Sequence, residues 1–397
     1  MGNQKLIIFM KNILSNEWKY KNKILYLSIL LSFIIIAYYI LRSGFSMSSD
    51  SERFSRWADT LISLNFNLFE FFSIDKVAHR PSLFFFSIPV ILIALCKVIF
   101  VNEWQFFFLL FNLLLIFFSL IIFTKTLLLI DVRSILISIT LPLVVISVDI
   151  LTWPQFILSD MIYAFLILLS TYFILKGIIK NKFNYFEIFI IIFLLLASRP
   201  SSIPVVFMIF SYIVIFRFNI FNEAKFSFLL LFLLFILTPF IYAAIYFYIE
   251  FYIHGIAKLD FVTGMVKSGM IIHDRPETWV PQPNNYLDVV CIYFLRIINF
   301  FNPYAATFSI LHVFLNVIQT CIFLFSIIIW LYFIGYIKSY DKIFFFIISL
   351  SFSVAAFHSF ILIDYDWRYR FPILLPLMML FPISLEIIIK KKLNLKI

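Results

Sequence analysis

Asp50 and Glu52 are two carboxylates one residue apart in the stretch SSDSERFSRW, directly after an unbroken apolar run. Carboxylates so spaced can share a divalent cation such as Mg, Mn or Zn, and either can act as a general base. The same residues equally suit the start of a helix, with Ser49 or Asp50 as N-cap and Glu52 in the first turn. Ser159 and Asp160 open another apolar run, where capping needs one of them and leaves the other for binding. Arg199-Pro200 lies between two short apolar runs, where an arginine either snorkels to an interface or offers its planar fork to a phosphate.

Two further clusters carry polar chemistry. DYDWRYRFPILLP, Asp364 to Pro376, sets acids, arginines and aromatics immediately before a span. It reads as an interfacial aromatic belt with self-paired charges. It also reads as a site in which Arg368 and Arg370 clamp an anionic headgroup while Tyr365, Trp367 and Tyr369 stack on a sugar or an isoprenoid. MIIHDRPETWVPQPNNYLD, Met270 to Asp288, is long and proline-rich for a connector. Its His273 is a metal ligand or acid–base group on one reading, a polar loop residue on the other.

The elements that must position these residues are membrane helices. The 397 residues are 63% hydrophobic and only 13% charged, with mean hydropathy +1.05, against about 25% charged in soluble domains. Apolar runs of about 20 residues recur along the chain, each enough to cross a hydrocarbon core of about 30 Å as a helix. The net charge of +10 comes from basic residues at the ends of those runs, where they orient spans, so a nucleic-acid partner is not expected. Cys96, Cys291 and Cys321 lie in or beside apolar segments without metal-ligand spacing and are expected as buried free thiols.

Charge also sets the expected threading. Lysines before Ile24 place residues 1–23 in the cytoplasm as a lead-in, and KKKLNLK places residues 390–397 there as a tail. Between them we expect about 10 transmembrane helices in one integral-membrane domain, residues 1–397. Pro81 to Val101 would be a re-entrant or interfacial segment of a first external loop, residues 42–103. A second long external loop covers residues 250–288. Within the first, Trp57, Leu61, Leu64 and Leu68 recur at helical spacing, as in an amphipathic helix lying along the surface. Nearly all polar clusters then fall on the outside face, where binding or chemistry is expected.

The order of these features resembles the GT-C superfamily of integral-membrane glycosyltransferases, in particular the bacterial protein mannosyltransferase and aminoarabinose transferase branch. The resemblance runs from about Ile24 to Ile389. It rests on the acid pair Asp50 and Glu52 after the first span, Ser159-Asp160 opening a later one, Arg199-Pro200, and Arg368-Tyr369 before a proline-containing late span. It implies a multi-pass protein of the bacterial inner membrane whose site faces the periplasm. The reaction implied is inverting transfer of a sugar from a polyprenyl-phosphate donor to a glycan, glycolipid or protein acceptor. Asp50, Glu52 and Asp160 would be the catalytic carboxylates. Arg199, Arg368, Tyr369 and Arg370, with Arg80 and Arg275 behind them, would bind the lipid phosphate and sugar. A divalent metal, if used, would draw on Asp50, Glu52, Asp160 and His273. An O-antigen or capsule polymerase and a lipid-linked sugar flippase are the competing expectations.

Overall fold

The computed structural model describes residues 21–74, 83–217, 237–238, 240–241, 243–246, 263–273, 275–305, 308–361 and 367–392. Arg80, Tyr365, most of the expected Phe226–Tyr248 span and part of the second long loop lie outside them. Among the described residues the chain is all-α, with a single isolated β-bridge. Among the described residues, six helices are long and apolar enough to cross a membrane, seven if one bent pair counts as a span. Membrane embedding follows from their composition, because only a lipid environment tolerates the large apolar side chains they expose.

The helices in order are α1 (Lys21–Ser43), α2 (Ser49–Ser63), α3 (Leu68–Ile74), α4 (Ser87–Phe100), α5 (Trp104–Leu129), α6 (Ser134–Val145) and α7 (Val148–Thr152). There follow α8 (Asp160–Lys180), α9 (Tyr185–Leu196), α10 (Ser202–Arg217), α11 (Tyr286–Phe300), α12 (Ile310–Tyr332), α13 (Lys338–Ile361) and α14 (Phe371–Lys392). The expected Ser134–Ile150 span is bent by 64° between α6 and the helical segment Val148–Gln155. The expected surface helix is likewise divided. Asn65 (φ 49°) and Phe66 (φ 60°) turn the chain out of α2 before α3 begins.

Two ends of the bundle are defined by contacts. At one, Ser46 N–H donates to Gln155 O (2.9 Å) and Ile157 N–H to Ser46 O (3.3 Å), tying the segment after α1 to the segment before α8. At the other, Arg133 N–H donates to Glu386 Oε2 (3.2 Å), while Lys390 Nζ reaches Asp131 Oδ2 (3.2 Å) and the Tyr340 hydroxyl (2.8 Å). The packed strut α14 joins these ends, running from Phe371, next to Arg370, past Lys390, with Pro376 and Pro382 inside it.

Helix α4 starts and finishes at the first of these ends. Ile88 N–H bonds Ala197 O (3.1 Å) beside Arg199, while Lys97 near its other terminus bonds Asp59 (2.7 Å) and Ser55 O (3.1 Å) of α2. Val101 (φ 41°) then breaks the helix before α5 sets off toward Leu129 at the opposite end. Helix α11 lay unrecognised in the sequence reading. Asn285 caps it, Val289, Ile292, Tyr293, Ile297 and Phe300 form its buried face, and Arg296 within that face donates to Met270 O (2.7 Å). The cysteines are free, but Cys291 and Cys321 are exposed rather than buried, because they stand on outward faces of apolar helices.

Candidate functional site

Asp50 enters the site because another residue caps its helix. Ser48 is the N-cap of α2: Ser51 N–H donates to Ser48 Oγ (3.2 Å), and Ser48 N–H donates to Ser51 Oγ (3.0 Å). This reciprocal box satisfies two of the amides at the helix start, those of Ser48 and Ser51. It replaces the Ser49 or Asp50 cap expected from sequence and leaves the Asp50 carboxylate for other partners. These are Arg53 Nη2 at 2.5 Å, one turn along the helix, and Arg368 Nη1 at 2.7 Å. Glu52 does not join them. Two residues on, a helical side chain is rotated by about 200°, and Glu52 is exposed on the other face.

Asp160 is fully buried and does not cap α8, although it opens that helix. One of its oxygens pairs with Arg199 Nη1 and the other accepts from Arg368 Nε (2.9 Å). Arg368 therefore bridges the two acids, Nε to Asp160 and Nη1 to Asp50. Arg199 is set by the short α9–α10 connection, which Tyr163 of α8 pins through a hydrogen bond to Ser201 O (2.7 Å). Its guanidinium lies 5.1 Å from the centroid of the Tyr369 ring, which packs in turn on His358 (4.2 Å). Four separate stretches of the chain thus meet at Asp50, Asp160, Arg199 and Arg368.

The electrostatics favour an anion. Three guanidinia, from Arg53, Arg199 and Arg368, face two carboxylates. Partial burial pushes the Asp50 carboxyl up, but the hydrogen bond and charge of Arg368, with Arg53 and Arg199 behind it, hold it below its ordinary 3.8. Burial weakens the Arg368 cation, yet Asp160 and Asp50 more than offset this and raise its pKa. Access differs sharply along the chain of pairs. The Asp50 side chain is 30% exposed, while those of Arg368, Arg199 and Asp160 are 10%, 8% and 0% exposed. Asp50 is the accessible acid and Asp160 the buried one.

Several expected partners stand elsewhere. Arg370 turns from Arg368 to pair with Asp149 (3.3 Å), itself hydrogen-bonded by the Trp153 indole, so the expected Arg368–Arg370 clamp does not form. Burial lowers the Arg370 pKa, and Asp149 works against that shift. Arg275 is buried in the second long loop, donating to Tyr304 O (2.8 Å) with its guanidinium near the Phe308 ring. His273 is half-buried in the same loop. Among the described residues, no group of three or more His, Cys, Asp or Glu side chains is arranged to hold a metal ion. The set Asp50, Glu52, Asp160 and His273 is therefore not gathered, since Glu52 faces away and both Asp160 oxygens are taken by arginines.

Asp149, His358 and Arg53 were missed. Asp149 and His358 each sit inside an apolar run, and an ionisable residue there marks a polar contact in the bundle. No family model, curated protein or solved structure matches the chain.

Proposed function

We propose that this chain is a membrane glycosyltransferase of the GT-C type, moving a sugar from a polyprenyl-phosphate carrier to an acceptor at the outer face of a bacterial cytoplasmic membrane. The observation that carries this is the convergence of Asp50, Asp160, Arg199 and Arg368 from four distant stretches, with excess positive charge and one accessible carboxylate. Helix α4, with both ends at the site end, supports the expected non-crossing segment of the first external loop.

In this reading Arg199 and Arg368 hold the donor phosphate. Asp160 fixes both guanidinia, so they are already oriented when charge develops on the leaving group. Asp50 takes the proton of the attacking acceptor hydroxyl. The new bond joins that oxygen to the anomeric carbon, the bond from that carbon to the phosphate oxygen breaks, and polyprenyl phosphate departs with the electron pair. Attack from the opposite side inverts the anomeric centre.

Asp50→Asn keeps the shape and removes the base. Transfer from a polyprenyl-phosphate-linked sugar in purified membranes is expected to fall by about 10²- to 10⁴-fold while the protein stays folded. Undiminished transfer would remove Asp50 from the mechanism.

A further inference from the structure

Arg368 cannot offer Nη1 to the donor phosphate while Asp50 holds it. Its Nε belongs to the fully buried Asp160, and its Nη1 is held by the more accessible Asp50. Arg199 is likewise committed to Asp160 and stacked on Tyr369. Of the contacts made by Arg199 and Arg368, the one least shielded from an entering ligand is Asp50–Arg368. Asp50 has a second guanidinium within reach, Arg53 on its own helix, itself lying 5.4 Å from the Trp57 ring centroid.

We propose that Asp50 occupies the phosphate position in the resting protein, so that the substrate's phosphate and the Asp50 carboxylate exchange places on Arg368. The phosphate takes Nη1, while Asp50 withdraws onto Arg53 and faces the acceptor. This rests on the glycosyltransferase reading and adds its order of events. Two anions cannot share one guanidinium edge, and a phosphate oxygen matches that edge as well as a carboxylate does. Loss of Arg368 as a partner also leaves Asp50 a stronger base, so the base is armed only when a donor is seated. Unproductive proton transfer without donor is thereby suppressed.

Binding of a short-chain polyprenyl monophosphate to the purified full chain tests the exchange without requiring turnover. Wild type should bind it, and the corresponding polyprenyl alcohol should bind far more weakly. Asp50→Asn, though inactive in transfer, should bind the phosphate about tenfold more tightly, because its competitor for Arg368 is gone. Glu52→Gln removes the same charge from the exposed face of the same helix and should change affinity by less than about twofold. Arg53→Ala should weaken binding in the wild-type background and do so less when Asp50 is already Asn.

Unchanged or weaker binding by a folded Asp50→Asn protein overturns the exchange, as does equal tightening by Glu52→Gln. Asp50→Ser provides a second carboxylate-free variant should the amide make a bond of its own. If wild type distinguishes the phosphate from the alcohol but Asp50 variants do not tighten, the exchange fails and the substrate reading stands. If wild type and all variants bind phosphate and alcohol alike, the substrate reading fails and takes the exchange with it.

Discussion

Asp160 shows how a buried carboxylate differs in role from an accessible one of the same type. Both its oxygens are bonded to arginines and no part of it meets solvent, so it holds two cations in place. Removing one partner of a buried pair strands the other charges. Asp160→Ala should therefore destabilise the protein by about 3–5 kcal/mol, measurable as thermal unfolding in detergent. Asp50 should behave differently, as a pH-dependent contributor. Its folded pKa lies below 3.8, so its stabilisation is fully present above that value and is lost as pH falls through the folded pKa. The unfolding temperature of wild type minus that of Asp50→Asn should be constant from about pH 7 to 5 and shrink below 3.8; a difference already fading near pH 6 would contradict the pairing. The four site residues were legible in the sequence as types, but their pairings were not. Nothing local says that Arg368 turns to Asp160 while Arg370, two residues on, turns to Asp149.

Among the elements, α2 carries the accessible acid, and its start is fixed by two serines. Loss of the Ser48 side-chain cap should cost about 1 kcal/mol. Because the cap sits two residues before Asp50, Ser48→Ala should also lower transfer more than its small loss of stability explains, read as rate against unfolding temperature. Gly269 has a comparable duty in the second long loop. It adopts φ 69°, and a Cβ there would lie 2.0 Å from Val280 O, the carbonyl of the residue whose N–H bonds Gly269 O. Gly269→Ala should spread the loop that supplies Met270 O to Arg296, and limited proteolysis should cut it faster than wild type. Helix α11, beyond that loop, was visible in principle: Val289, Ile292, Tyr293, Ile297 and Phe300 recur at helical spacing. Arg296 within that stripe masked it, since a buried arginine satisfied by carbonyls looks polar in a sequence.

For the whole molecule, the separation of its two polar ends is the property most accessible to experiment. Asp50 and its partners gather at one end, while Arg133, Glu386, Asp131 and Lys390 tie α5, α6 and α14 together at the other. Glu52 and Lys392 are exposed at opposite ends, so each can carry a single cysteine in a cysteine-free background. An impermeant maleimide should label Glu52→Cys in intact cells and Lys392→Cys only after permeabilisation; labelling of both from one side would contradict the threading. The all-α, membrane-embedded class was the most legible in the sequence, since apolar length is a sum over many residues and survives local error. The bend between α6 and α7 was not, because kinks depend on packing rather than on composition.

The Ser46–Phe156 bridge has a consequence for how mutations distribute around the site. Its two hydrogen bonds run from main chain to main chain, so the spacing between the Asp50 and Asp160 segments does not depend on which side chains stand at Ser46, Gln155 or Ile157. A saturation library at these positions should therefore be broadly permissive yet reject proline at Ser46 and at Ile157, where the donating N–H would vanish. Such a library would trace the scaffold of the site through the one amino acid it refuses.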